Sequence, residues 1–266
     1  MKYKIGFIGC GNMASAMIGG IVKQGVLKAE EIIASNRSEG KLEAIKKECG
    51  IDVTLDNQQV AREAEIIVLA VKPIFYESVI KEIATEVKKT QIIVTIAPGF
   101  DLEKLRYLFG KKMKIVRTMP NTPAMVCEGV TAISYNEVIT EEEVAEVCRI
   151  FGGFGITEII PERLMDAVVA VSGSAPAYIY MIIEAMADGA VAEGMPRDQA
   201  YRFAAQAVLG SGKMVLETGL HPGVLKDMVC SPGGTTIAAV RELEKGGVRS
   251  SIMEAMKVCA EKCRNV

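Results

Sequence analysis

Tryptophan is absent from this chain, histidine occurs once, and its seven cysteines form no Cys-x-x-Cys pair. Scattered cysteines (10, 49, 127, 148, 230, 259 and 263) and the lone His221 argue against a zinc framework, so no metal site is expected. An odd cysteine count without a regular spacing reads as reduced thiols in a cytoplasmic compartment. Charge of one sign is also missing. A net charge of −2 leaves no electrostatic footprint for nucleic acid or an anionic membrane surface, and neither partner is expected. Long apolar runs are interrupted: Val168 to Met186 is broken by Gly173, Pro176 and Glu184, which reads as a buried helix rather than a span. The chain opens directly into a strand pattern, with no signal peptide expected ahead of it.

What is present is an ordinary globular composition. The 266 residues are half hydrophobic and 24% charged, enough for one large or two modest domains with a real core. Residues 3–8 (Tyr-Lys-Ile-Gly-Phe-Ile) read as a buried strand, followed by Gly9-Cys10-Gly11-Asn12-Met13-Ala14 and a helix to about Lys23. Strand, G-x-G-x-x-A and helix make the dinucleotide fingerprint in the context that gives it meaning. Gly9 allows the tight turn, Gly11 lets a pyrophosphate approach the backbone, and Ala14 keeps helix and sheet close. The second strand, Glu31 to Ala34, ends in Ser35-Asn36-Arg37-Ser38, without the acid that usually binds the ribose hydroxyls of NAD. Asn, Ser and Arg suit a 2′-phosphate, so NADPH is expected, with NADH possible and Arg37 alternatively a solvated loop charge.

Strand and helix patterns then alternate. Helices are expected over about Ser38–Glu48 and from Asn57, with strands at Asp52–Thr54, Glu65–Ala70, Gln91–Ile96 and Lys114–Arg117. Ala70, Val71 and Lys72 follow a strand's carboxyl end, where ligands sit in a parallel sheet, and Pro73 can open the next helix. Gly129–Tyr135 and Gly155–Glu158, flanking a helix over Thr140–Phe151, are expected to complete a doubly wound sheet with right-handed crossovers. From Pro161 the strand signals stop. Helical patterns cover about 161–171, 174–194, 197–217, 222–229, 232–245 and 248–264. Their apolar surface exceeds what six short helices can bury among themselves, which argues for at least a dimer. The expected fold is thus α/β: an N-terminal Rossmann-like doubly wound sheet (1–160, NADP-binding) and an all-helical C-terminal dimerisation and substrate-binding domain (161–266).

Late in the chain stands Ser231-Pro232-Gly233-Gly234-Thr235-Thr236. Ser before Pro reads as an N-cap and first helical residue. Two glycines in a first turn are poor helix formers, but they let an anion approach the unpaired N–H groups, with two hydroxyls alongside. An ordinary capped helix is the plainer alternative. His221, before Pro222, is expected to be a capping residue rather than a general acid.

Taken with Ala70-Val71-Lys72-Pro73, Met119-Pro120-Asn121-Thr122-Pro123, Ser172-Gly173-Ser174-Ala175-Pro176-Ala177-Tyr178 and Leu225-Lys226-Asp227, these motifs resemble the pyrroline-5-carboxylate reductase family over essentially the whole chain. The resemblance implies reduction of L-1-pyrroline-5-carboxylate to L-proline by NAD(P)H in a homodimer, commonly assembled into a homodecamer, with the site shared across the dimer. It implies nucleotide contacts at Ile8, Gly9, Cys10, Gly11, Asn12, Met13, Asn36, Ser38, Asn57 and Ala70–Pro73. Substrate contacts are implied at Ser231, Gly233, Gly234, Thr235 and Thr236, and a further ligand contact at Glu162. Thr236 is the candidate catalytic donor. Met228 departs from the Asn that many members carry there. Two other readings stay open: a β-hydroxyacid dehydrogenase type of reductase, and a non-catalytic NADP-binding regulator.

Overall fold

A computed structural model describes residues 1–110 and 112–264. The chain divides into two compact units, residues 1–173 with the C-terminal end from 259, and residues 174–258. This division lies at Gly173–Ser174, beyond the 160–161 boundary that the change in pattern suggests.

In the first unit eight strands form one sheet: β1 Tyr3–Ile8, β2 Ile32–Ser35, β3 Asp52–Thr54, β4 Ala64–Leu69, β5 Ile92–Thr95, β6 Lys114–Met119, β7 Gly129–Tyr135 and β8 Gly155–Ile159. Their order is β3-β2-β1-β4-β5-β6-β7-β8. Side chains alternate between the two faces. Ile66 and Val68 of β4 join one apolar cluster and Ile67 and Leu69 join the other, each buried aliphatic contributing roughly 1.5–3 kcal/mol. Helices α1 Asn12–Lys23, α2 Glu39–Cys49, α3 Asn57–Glu63, α4 Tyr76–Ile83, α5 Leu102–Phe109 and α6 Glu141–Phe151 cover these faces.

One strand departs from expectation. β7 runs antiparallel to β6 (Met119 beside Ala132, Val116 beside Tyr135), and β8 runs parallel to β7. A parallel return needs a crossover of a dozen residues or more, usually helical. The β6–β7 connection holds only a 3₁₀ stretch, Thr122–Val126, so the chain turns back on itself.

Tyr76 ties α4 to the sheet. It is fully buried, donates from its hydroxyl to the Leu69 carbonyl at 2.5 Å and accepts from Thr95 Oγ1 at 3.0 Å. Burial pushes its phenol from 10.0 up to about 12. Above pH 10 the unfolded chain therefore releases a proton that the folded chain keeps, so stability falls as pH rises from 10 towards 12. Denaturant titrations at pH 9.5 and 11 are expected to show this loss at up to ~1.4 kcal/mol per pH unit, and Tyr76→Phe to flatten it.

After β8 the expected helix over 161–171 is replaced by a mixture: a 3₁₀ turn Glu162–Leu164, α7 Met165–Val168 and a π turn Val169–Gly173. The second unit contains α8 Ala175–Ala192, α9 Arg197–Thr218, α10 Pro222–Val229, α11 Thr235–Lys245 and most of α12 Val248–Arg264. Within it the fully buried side chains among the described residues are small ones, Ala187, Ala200 and Ala204. Tyr180, Met181, Phe203, Leu209 and Leu216 are each more than half exposed in the single chain. The helix expected to be buried therefore is not covered by its own chain. The stretch Glu162–Ala192 is long and apolar enough to span a membrane, with its most apolar window 6% buried, but Pro176 and Glu184 interrupt it.

Candidate active site

The nucleotide cradle is built at the carboxyl ends of β1, β2 and β4. Gly9 leaves β1 with φ +98°, and its N–H donates to the Ser35 carbonyl at 2.9 Å, tying the loop to β2. Gly11 is the N-cap of α1, and no side chain caps that helix. A Cβ built on Gly11 meets nothing within 4 Å, so its openness serves space beside the helix rather than packing. First-turn amides of a helix lack intrahelical partners and attract anions. Asn36 Oδ1 accepts from the Cys10 N–H at 3.3 Å, and Asn36 Nδ2 donates to the Ser38 carbonyl at 3.3 Å. Burial raises the Cys10 thiol above its ordinary range, so it stays protonated and acts as packing.

A cavity of about 200 Å³ opens here. Gly9, Cys10, Gly11, Asn36, Arg37 and Asn57 line one side, and Ala70, Val71 and Lys72 the other. Lys41, Phe75 and Val79 complete the lining and were not singled out in the sequence. The Arg37 guanidinium lies 4.6 Å from the Phe75 ring centroid, a cation–π pair at the mouth. Lys41 stands one turn beyond Arg37 in the first turn of α2; that second cation at i+4 was the available signal. Two cations, a backbone nest and an aromatic face fit a dinucleotide carrying a 2′-phosphate.

Six other expected contacts, Ile8, Asn12, Met13, Ser35, Ser38 and Pro73, are not part of this lining. Ile8 is buried in the apolar cluster on one face of the sheet and Met13 packs against the cluster on the other. Asn12 opens α1, Ser38 precedes α2, and Pro73 opens a 3₁₀ turn. Ser35 is buried, with Oγ donating to Asn57 Oδ1 at 2.7 Å and fixing that amide at the wall.

The late hexapeptide corrects one expectation. Ser231 is not an N-cap and Pro232 is not helical. The Gly234 N–H donates to the Ser231 carbonyl at 3.0 Å and Gly233 has φ +70°, which closes a turn that a right-handed helix cannot contain. The helix begins at Thr235 with Gly234 as its N-cap, no side-chain cap and no acid in its first turn. Thr235 and Thr236 are therefore themselves first-turn residues, presenting N–H groups and hydroxyls together. His221 caps α10 instead, its Nδ1 accepting from the Gly223 N–H at 3.0 Å. Glu162, in the first unit, is already engaged: Oε1 accepts from the Leu102 N–H at 2.9 Å and from Arg117 Nη1 at 3.1 Å.

A glycine-cornered cavity at the carboxyl ends of a doubly wound sheet, with Arg37 and Lys41 in its lining and a helical unit following in the chain, is the architecture of a nicotinamide-dependent oxidoreductase of the sheet-plus-helical type. Residues 4–99 match the family described as NADP oxidoreductase, coenzyme F420-dependent, and residues 162–266 match pyrroline-5-carboxylate reductase dimerisation. The pyrroline-5-carboxylate reductase of Escherichia coli (strain K12) is 52% identical over 262 residues, covering 98% of this chain and 97% of that relative. In structure, a pyrroline-5-carboxylate reductase from Coxiella burnetii aligns with TM-score 0.92 and 34% identity, covering 100% of this chain and 98% of its own. A pyrroline carboxylate reductase from Plasmodium falciparum with NADP bound aligns with TM-score 0.88 and 33% identity, at the same coverage. The chain belongs to the pyrroline-5-carboxylate reductase family.

Proposed function

We propose that the chain reduces L-1-pyrroline-5-carboxylate to L-proline with NADPH, the last step of proline biosynthesis, as a cytoplasmic homo-oligomer of at least two copies. The carrying observation is the uncapped start of α11 behind the Ser231–Gly234 turn, in a chain that matches this family from end to end. Seven scattered cysteines suit a reducing compartment, and a net charge of −2 suits neither nucleic acid nor an anionic membrane. Residues 1–160 serve the nucleotide, and 161–266 serve dimerisation and substrate.

The substrate is a cyclic imine bearing a carboxylate. When bound, the nicotinamide supplies the hydride for the imine carbon. Gly11 and the α1 amides hold the pyrophosphate, Arg37 and Lys41 the 2′-phosphate, and Ala70–Lys72 the wall beside them. Ser231, Gly233 and Thr235 receive the carboxylate on backbone N–H groups and hydroxyls, while Gly234, whose own N–H closes the turn onto the Ser231 carbonyl, contributes by bringing the backbone close to it. Thr236 donates a hydrogen bond from its hydroxyl to the imine nitrogen, which makes the carbon electrophilic, and the nitrogen takes the balancing proton from water as the carbon accepts hydride. The chain therefore works by alignment, and no titrating Lys, His or Cys is needed.

Thr236→Ala is expected to lower kcat/KM by roughly 10- to 100-fold, about 1.4–2.8 kcal/mol. An unchanged value would remove Thr236 from the mechanism. NADPH oxidation with pyrroline-5-carboxylate, set against 3-hydroxyisobutyrate with NAD, tests the function itself. A β-hydroxyacid dehydrogenase uses a helix lysine soon after its Ser-Gly pair. Here Ser172-Gly173 leads into Ala175-Pro176 and the next lysine is Lys213, so that reading is not favoured.

A further inference from the structure

Arg117 is an oddity within β6. It is 8% exposed in the middle of a strand whose Ile115, Val116, Thr118 and Met119 are also buried, and its Nε is buried without a partner. A guanidinium cannot shed its charge, so its burial demands a carboxylate. Glu162 provides one, with Arg117 Nη1 donating to Oε1 at 3.1 Å.

The same oxygen accepts from the Leu102 N–H at 2.9 Å, sixty residues away in sequence. Leu102 is the first residue of α5, whose N-cap Asp101 accepts on its side chain from the Lys104 N–H at 2.7 Å. Glu162 thus caps a first-turn donor that the helix itself leaves open. One carboxylate oxygen joins β6, the start of α5 and the turn after β8.

What hangs on this joint is the segment 96–101 between β5 and α5. It leaves the carboxyl edge of the sheet next to the Ala70–Lys72 wall, because β4 and β5 are neighbours. Its other fastenings include the Ala97 N–H to Thr95 Oγ1 at 3.3 Å, Lys104 Nζ to the Gly99 carbonyl at 3.2 Å, Phe100 stacked on Tyr76 at 4.3 Å, and the burial of Ala97 and Phe100 in the apolar cluster below, which leaves the stretch nearest α5 to the Glu162 contact. A dinucleotide anchored at α1 extends its second nucleoside across the carboxyl ends of the neighbouring strands.

We propose that Arg117 and Glu162 are positioning residues for hydride transfer: their ion pair sets the place of segment 97–101, and through it the nicotinamide, without either side chain touching substrate. The inference rests on the reductase reading above. It gives Glu162 a different task from a direct ligand contact.

The test is steady-state kinetics of the full-length oligomer with pyrroline-5-carboxylate and NADPH, together with NADPH deuterated at the transferred position. Glu162→Gln is expected to lower kcat roughly 10-fold, leave KM for pyrroline-5-carboxylate within about twofold, and raise the primary isotope effect on kcat. Glu162→Asp keeps the charge but cannot reach both partners, so the same pattern is expected; it also serves should the amide variant fail to fold. The double variant Arg117→Gln/Glu162→Gln is expected to lose no more kcat than Glu162→Gln alone, because the two side chains act as one unit. A KM rise of about 10-fold at unchanged kcat would overturn the proposal, because that is the mark of a direct substrate ligand. Multiplying losses in the double variant would overturn it as well. Wild-type turnover of pyrroline-5-carboxylate in the same assay separates a failure of this inference from a failure of the reductase reading.

Discussion

Gly9→Ala is expected to weaken NADPH binding by at least about 100-fold, ~2.8 kcal/mol, and to lower the melting temperature of the protein without nucleotide. Two effects act together. A φ of +98° is strained for any residue with a side chain, and the new methyl would stand 2.8 Å from the Ala70 carbonyl carbon, the Val71 nitrogen and Val71 Cγ1. Two of those three atoms are backbone, so they cannot swing aside. Ala70 and Val71 also line the nucleotide cavity, so any relief pushes the wall inward. Gly11→Ala is the control: its methyl meets nothing within 4 Å, so melting without nucleotide should hold while NADPH binding falls. Fluorescence titration with NADPH and thermal melts of both variants would check this. A Gly9→Ala protein that binds normally would mean that the cavity is not where the dinucleotide lies.

The double substitution Met181→Glu/Leu209→Glu is expected to convert the oligomer into monomers and reduce kcat/KM by roughly 100-fold or more. Met181 on α8 is 69% exposed and Leu209 on α9 is 55% exposed in the single chain. A helical unit whose own buried side chains are alanines has too little core to stand alone. Its large apolar side chains must be covered by another copy, as the dimerisation match over 162–266 indicates. Placing carboxylates on that face sets the cost of burying charge against association. Sedimentation velocity would read the outcome, and an intact oligomer would show that these two positions lie outside the interface.

Sequence patterning carried the strands well, because a parallel sheet buries both faces and writes itself as short continuous apolar runs such as 66–69 and 92–94. Direction was not encoded in that signal: β7 reads like its neighbours, and only the short link after Met119 betrays its reversal. The cradle was legible because its glycines and its Arg37 each directly follow a readable strand, β1 and β2, whereas Phe75 joins from a turn with no such signal. The α11 start was misplaced by three residues because Ser-Pro carries a cap signal that Gly233 overrides. Burial in the second half was also misjudged, since apolar periodicity cannot tell which copy of the chain does the covering. Arg117 and Glu162 are separated by 45 residues, so their pairing had no local trace beyond a charge in an apolar strand.

The reversal of β7 also gives the sheet two rims of unequal freedom. Asn121 Nδ2 reaches the Ser172 carbonyl at 3.2 Å, holding the outgoing chain at the same rim from which β6 emerges, while Asn136 and Thr140 turn at the opposite one. Added length between 136 and 140 would project away from the chemistry, and the same length between 120 and 128 would fall on it. Such a molecule can grow new appendages on one side at little risk, and must keep the other side's loops short.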